Sequence, residues 1–261
     1  TEDSRPSLEM VEGLLPRWPR PVLNPPAQVR RLNRDALHAL LRGAADIYIP
    51  MTARIARAQM EAIGGGAPLQ GLLADGAWPL IARPIDSQAG RGLDKLETAA
   101  DVAQYLAGRG EDTFFISRYV DYSGKDGMFR KYRIVFIDGR PYAIHMAISH
   151  QWKIWYLNAD MAASAEKRAE EDDFMTHFDT GFGTRHKKAL EEIAKRVGLA
   201  YFAIDCAETK DGALLVFEGG NTMIVHNMDS AAVYPYKVPQ MKKVYQAFVG
   251  MIGKYAAKGG A

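Results

Sequence analysis

The chain has 261 residues, 48% of them hydrophobic and 25% charged, enough apolar material for one large core or two modest ones in a globular protein. Its 33 basic and 31 acidic side chains leave a net charge of +2, so the balance calls for neither nucleic acid nor an anionic membrane as partner. Cys206 is the single cysteine, which excludes an intramolecular disulfide and fits a reducing compartment, and no apolar run approaches the ~20 residues that span a bilayer; the expected location is cytoplasmic.

Residues 1–27 carry six prolines around one short apolar patch at 8–15, and read as a helix followed by an extended connector that buries little. The chain opens at Thr1 without a Met or an apolar signal core, which reads as a piece of a longer polypeptide. Asn33 is placed to cap a helix over residues 34–41 ended by Gly43, and Ile47, Tyr48 and Ile49 form a short strand closed by Pro50. Residues 52–63 read as a second helix, stopped by Gly64, Gly65 and Gly66. A strand over 80–82, a glycine-containing loop over 87–92 and a helix over 98–106 follow.

From Thr113 the pattern changes to longer strands. Residues 114–120 are apolar up to Asp121, a loop covers 123–127, and residues 132–137 turn at Asp138-Gly139 into 142–148. A polar helix over 160–173 precedes an amphipathic one over 184–197, whose Leu190, Ile193, Ala194 and Val197 recur at helical spacing and should cover one face of a sheet. A further hairpin joins residues 201–207 to 213–217 through Asp211-Gly212, and a closing helix spans 238–255.

Two stretches carry chemistry. Asp205 and Glu218 fall on the two arms of the last hairpin, with Asn221 just beyond. Hard Mg²⁺ takes carboxylate and amide oxygens together with phosphate, so the three form a candidate metal site. Taken as an isolated pair, the acids also read as one buried Asp and one hairpin Glu. Arg83 ends a strand one residue before Pro84, and Ser87, Gly90 and Gly92 line the following loop. Such a loop can aim backbone N–H groups, a hydroxyl and a guanidinium at phosphate oxygens, or be simply a tight turn. The six histidines include no helical pair, which argues against zinc. Trp152, Trp155 and Tyr156 read as anchors of a core or an interlobe contact, and the run from Arg185 to Lys188 as a solvated helix face.

The succession NPPAQVRRLNRDALHALL, IPMTARI, RPIDSQAGRG, FFISRYVDY, KYRIVFIDGRPYAIHMAIS, AIDCAE and FEGGN, over about residues 20–225, resembles in its order the ATP-grasp superfamily. The closest branch is that of glutamate-ligase-like enzymes acting on peptide or protein tails. The resemblance implies an α+β fold of two lobes sandwiching a nucleotide, with the N-terminal lobe largely absent. Residues 1–27 would be an N-terminal helix and Pro-rich connector, 28–112 the central subdomain with the phosphate loop, and 113–261 the C-terminal subdomain with the metal site. It implies ATP and Mg²⁺ as cofactors, and ligation of a carboxylate to an amine through an acyl phosphate, with a peptide as one candidate substrate. Fusion to, or pairing with, a missing N-terminal region and a homodimer are arrangements it leaves open.

The same resemblance distributes roles. Arg83 stands where the family has the Lys of a Lys-Pro pair on phosphate, and Ser87, Gly90 and Gly92 fall on the mobile phosphate loop. Ser117, Arg118, Tyr119 and Val120 lie in the interlobe connector that reads adenine and ribose, although Ser117-Arg118 replaces the common Gln-Glu. Arg133 matches the Arg of an Asp-x-Arg signature that grips the γ-phosphate or acyl phosphate, with Lys131 at the Asp position. Asp205 and Glu218 match metal ligands, and the family's Glu-x-Asn is one residue longer, so a bulge must return Asn221 to the metal. A recurrent lysine near Ala36 is absent, and Arg34 is its nearest substitute. His145 and His226 are candidate acceptors for the amine proton, with a structural role open for each. The departures sustain two other readings: a noncatalytic nucleotide-binding or peptide-docking module, and phosphoryl transfer to a small molecule without ligation.

Overall fold

Residues 5–87 and 90–258 are described by the structure, a computed structural model. In chain order they form α1 (Arg5–Leu14), α2 (Pro26–Val29), α3 (Arg34–Leu41), β1 (Ile47–Tyr48), β2 (Thr52–Ala56), α4 (Arg57–Gly64), β3 (Leu80–Pro84), β4 (Asp94–Leu96), α5 (Asp101–Leu106) and β5 (Thr113–Arg118). There follow β6 (Phe129–Ile137), β7 (Arg140–Ser149), α6 (Ala165–Thr176), α7 (Phe182–Arg185), α8 (Lys187–Val197), β8 (Tyr201–Glu208), β9 (Leu214–Gly220) and α9 (Lys237–Lys258). The strands make two sheets: a small one of order β2-β5-β3-β4 and a large one of order β1-β9-β8-β6-β7, antiparallel except for the β1–β9 pair. No described helix is long and apolar enough to cross a membrane.

The small lobe departs from the helix expected over residues 52–63. Thr52–Ala56 is a strand paired with β5, and helix starts only at Arg57. Ile55 alone is buried on β2, against Met60, Ile63, Leu80, Phe114 and Ile116, so pairing and burial override helix propensity there. Strand β4 carried no sequence signal of its own and exists because Lys95 and Leu96 pair with β3.

Lobe membership also differs from the sequence boundaries. Strand β5 lies inside the small sheet, so the break falls after Arg118, not after residue 112. Conversely, α3 and β1 belong to the large lobe, because Leu37 and Leu41 are buried in its core and Ile47 pairs with Leu214. Asn33 sits at the start of α3, but its side chain makes no cap. Its carbonyl accepts from Leu37 N at 2.7 Å, and the Asp35 carboxylate accepts from Ala36 N at 3.1 Å.

The β6–β7 hairpin turns through Asp138 and Gly139 with φ of 49° and 84°, a left-handed pair that favours Asp-Gly. On one face of the large sheet Ile134, Phe136, Phe202, Ile204 and Cys206 pack against Leu190, Ile193 and Val197 of α8. Phe136 and Phe202 stack at 4.5 Å between centroids, each contributing about 2–3 kcal/mol through burial. On the other face Val135, Ile137 and Ala203 meet Met241, Val244 and Met251 of α9. That helix covers one end of the face. Side chains alternate along a strand, so Arg133 and Lys131 on β6, and Asp205 on β8, emerge from the same face beyond its reach.

Candidate functional site

Strand pairing draws four charged or titratable residues into one line. His145 on β7 pairs with Arg133 on β6, Arg133 with Asp205 on β8, and Asp205 with Glu218 on β9. Directly paired residues project from one face, so the line is a continuous polar stripe across four strands. Register shifts lie beside it, between Arg133 and Ile134 and between Asp205 and Cys206, leaving Ile144 and Phe217 as the extra residues. Bulges of this kind re-aim side chains at the edge of a site. The extra residue called for by the Glu-Gly-Gly-Asn spacing thus precedes Glu218. Gly219 and Gly220 pair regularly with Ile204 and Ala203, and Asn221 follows the end of the strand, half-buried.

Asp205 is 1% exposed, and Arg133 grips it at both ends: Nε donates to Oδ1 at 2.8 Å and Nη2 to Oδ2 at 3.0 Å. Lys131 Nζ adds a third charge-assisted bond to Oδ2 at 3.2 Å. Burial alone would raise the carboxyl pKa, but Lys131 and Arg133 outweigh it and hold Asp205 well below the usual carboxylate range. Glu218, half-buried, pairs with the Arg34 guanidinium, which also donates to Phe217 O at 3.4 Å. Burial and then the Arg133 guanidinium push the His145 pKa well below 6.5, so its imidazole is neutral at pH 7. Its ring lies against Tyr156, 4.6 Å between centroids. His226 accepts from Met228 N at 3.2 Å through Nδ1.

The glycine loop meets this line from the small lobe. Arg83, 8% exposed at the end of β3, donates from Nε to Ser87 Oγ at 3.2 Å and from Nη2 to Ser87 O. The Ser87 hydroxyl donates in turn to Pro84 O at 2.9 Å. Burial and then the Arg34 charge lower the Arg83 pKa to about 10, with Glu218 opposing, so the guanidinium stays charged within electrostatic reach of both. Gly90 and Gly92 have φ of 72° and 63°, and a Cβ on Gly92 would lie 2.7 Å from Pro84 Cδ. Gln88 and Ala89 of the expected loop lie outside the described residues. Lys153 of the large lobe holds the loop's far side, donating to Leu93 O at 2.6 Å.

The expected adenine connector is partly built into the small sheet. Ser117 pairs with both Thr52 and Ile81, Arg118 with Leu80, and Tyr119 N donates to Pro79 O at 2.9 Å. Val120 packs on the large core. The Tyr119 ring stands edge-on to Trp152, with 5.7 Å between centroids, and takes Lys95 Nζ at 4.1 Å from its centroid.

Two polar groups escaped the sequence reading. Glu171, in the middle of the polar helix α6, is fully buried; it accepts from Met146 N at 3.1 Å and Tyr236 OH at 2.7 Å, and lies 3.2 Å from Lys237 Nζ. His186, expected on a solvated face, is 3% exposed and sits 2.7 Å from Glu208 Oε1. A buried Glu on the mostly polar α6, and a buried His at the junction between α7 and α8, leave no periodic signal to read.

A divalent ion of the Mg²⁺ type is held by carboxylate oxygens left open for it. Asp205 already receives three bonds from two cations, and Glu218 is paired with Arg34. Among the described residues no group of three or more His, Cys, Asp or Glu side chains gathers to hold a metal ion. An ion placed between Asp205 and Glu218 would face ammonium and guanidinium groups, so this donor set does not fit the magnesium site expected from Asp205, Glu218 and Asn221.

No family model matches the sequence, and no curated protein matches it. Solved structures do. The VanG D-Ala:D-Ser ligase from Enterococcus faecalis is 16% identical with a TM-score of 0.52, over 89% of this chain and 63% of its own. A RimK domain ATP-grasp protein from Sphaerobacter thermophilus is 20% identical with a TM-score of 0.50, over 91% of this chain and 71% of its own. The ATP-grasp ligase PsnB complexed with minimal precursor is 16% identical with a TM-score of 0.51, over 95% of this chain and 70% of its own. The chain therefore spans about two thirds of the length of these structures. Together with the two sheets of the chain, these likenesses establish that it has the α+β ATP-grasp fold.

Proposed function

We propose that the chain binds ATP between its two lobes and spends it on joining a carboxylate to an amine. The line of His145, Arg133, Asp205 and Glu218, faced by Arg34 and by Arg83 of the glycine loop, carries this reading. A carboxylate attacking the γ-phosphorus brings two anions together, so charge neutralisation and alignment supply most of the rate. A carboxylate oxygen bonds to the γ-phosphorus, the bond to the β,γ-bridging oxygen breaks, and ADP leaves. The amine nitrogen then bonds to the acyl carbon, inorganic phosphate leaves with the electron pair, and the surplus proton goes to a base.

Arg133 uses Nε and Nη2 on Asp205 and Nη1 on Ile224 O at 3.2 Å, which leaves two of its five N–H donors for a γ-phosphate or acyl phosphate, with Lys131 on the same carboxylate and Arg83 within electrostatic reach of Glu218. His145, neutral at pH 7, is the base in this reading. The ligases of similar fold include a D-Ala:D-Ser ligase and one complexed with a precursor peptide, and a peptide is accordingly the acceptor class to test first. Incubating the purified chain with ATP and a panel of carboxylate and amine acceptors should give acceptor-dependent ADP release, lost in Arg133→Met. If ATP neither raises the melting temperature nor is consumed, the reading fails.

A second reading, a noncatalytic nucleotide-binding or peptide-docking module, is favoured by one observation: both carboxylates of the line are already paired with side-chain cations. Tight ATP binding with no acceptor-dependent ADP release would select it.

A further inference from the structure

A divalent ion in a nucleotide cleft lowers the charge of the phosphates and is itself held in place by carboxylates. In this chain the carboxylates hold cationic side chains. Asp205, 1% exposed, is anchored to Arg133 by two bonds and to Lys131 Nζ at 3.2 Å, and Glu218 is anchored to Arg34. Arg83, buried at the head of the glycine loop, adds a fourth cation within electrostatic reach of Arg34 and Glu218. Four cations against two carboxylates leave these six groups with a net charge of +2, the charge of one magnesium ion.

We infer that Lys131 stands in the place of a metal, so that the cleft binds a polyphosphate anion through fixed side-chain cations and requires no divalent ion. This rests on the reading of the cleft as a nucleotide site. The Lys131 side chain is 16% exposed, and its Nζ spends one direction on Asp205 Oδ2, which leaves two N–H donors for phosphate oxygens. Asp205 fixes the ammonium in the way it would fix an ion, and the partial burial of the group weakens screening by solvent. Mg²⁺ cancels two charges on free nucleotide, so removing it strengthens attraction to a positive cleft.

Calorimetric titration of the full chain with the non-hydrolysable β,γ-imido analogue of ATP, in EDTA and in excess Mg²⁺, tests this. The expected result is binding in EDTA that is as tight as in Mg²⁺, within about threefold, or tighter. Lys131→Met should weaken binding in EDTA by about tenfold or more, the worth of a charge-assisted bond. Lys131→Asp should make binding depend on Mg²⁺. Circular dichroism checks that both variants fold, and the wild-type comparison needs no variant. Binding by the wild type only with Mg²⁺ overturns the inference and leaves the nucleotide reading standing, and so does full affinity of a folded Lys131→Met in EDTA. Absence of binding in both buffers removes the nucleotide reading itself.

Discussion

The Arg133 guanidinium lies side-on to the Asp205 carboxylate across neighbouring strands, Nε to Oδ1 at 2.8 Å and Nη2 to Oδ2 at 3.0 Å. With Lys131 on the same carboxylate, this is the most deeply buried charge of the line. Removing one partner of such a pair costs far more than an exposed salt bridge does, because the charges left behind are poorly solvated. Asp205→Asn should destabilise the chain at neutral pH by about 3 kcal/mol, read by urea denaturation. A loss within about 0.5 kcal/mol would mean that water solvates Arg133 and Lys131 as well as the carboxylate does.

Two groups of the line should each withdraw stability in its own acid window, alongside His38, whose pKa burial also lowers, and against Glu171, whose pKa burial raises. The folded-state pKa of His145 is depressed well below 6.5, so the unfolded chain takes up a proton that the folded chain refuses as pH drops below that value. The slope is at most about 1.4 kcal/mol per pH unit, reduced by water at the exposed edge of the ring. The depressed pKa of Asp205 contributes stability that is fully present above its unfolded value of 3.8 and is lost as pH falls further towards its folded value. His145→Gln should reduce the slope in the upper window, where His38 keeps its own share, and leave the lower one, in denaturation curves collected between about pH 7 and pH 3. An unchanged upper slope would contradict the role given to His145.

Arg34→Met separates binding from folding. The Arg34–Glu218 pair is partly solvated, with side chains 21% and 29% exposed, so its loss should cost less than about 1 kcal/mol of stability. If the proposed nucleotide reading holds, loss of this cation should weaken ATP binding by about tenfold, measured by titration calorimetry. The reverse ordering, a large stability loss with unchanged affinity, would make Arg34 a fold residue only.

Gly92→Ala should injure the glycine loop. The residue has φ of 63°, and the added Cβ would lie 2.7 Å from Pro84 Cδ and 3.0 Å from Arg109 Nη1. Left-handed strain and that overlap together cost about 2–3 kcal/mol, and they displace the segment that orients Arg83. The expected outcome is a lower melting temperature and weaker nucleotide binding, whereas Gly108→Ala, also at positive φ but with open space around its Cβ position, should lose stability alone.

Much of the order of the elements, though not β2 or β4, was legible in the sequence. Asp138-Gly139 marked one hairpin and Asp211-Gly212 another, because those turns require left-handed backbone at fixed positions. The spacing of Leu190, Ile193 and Val197 announced a helix lying on a sheet, and the fold has them buried. Arg83, Arg133, Asp205 and Glu218 stood out as residue types suited to phosphate and charge.

What they do to one another was decided by register and long-range packing. Whether β2 is strand or helix depends on β5, some 60 residues away, and no local propensity contains that pairing. The alignment of His145, Arg133, Asp205 and Glu218 depends on two bulges, since a one-residue slip would turn half the line to the opposite face. Lys131 and Arg34 read from sequence as imperfect substitutes. The fold sets them against Asp205 and Glu218, where short-range electrostatics turns two expected metal ligands into anchors for cationic side chains. Residue types set which forces were available, and only the tertiary structure, by fixing distances to a few tenths of an ångström, decided which of them act.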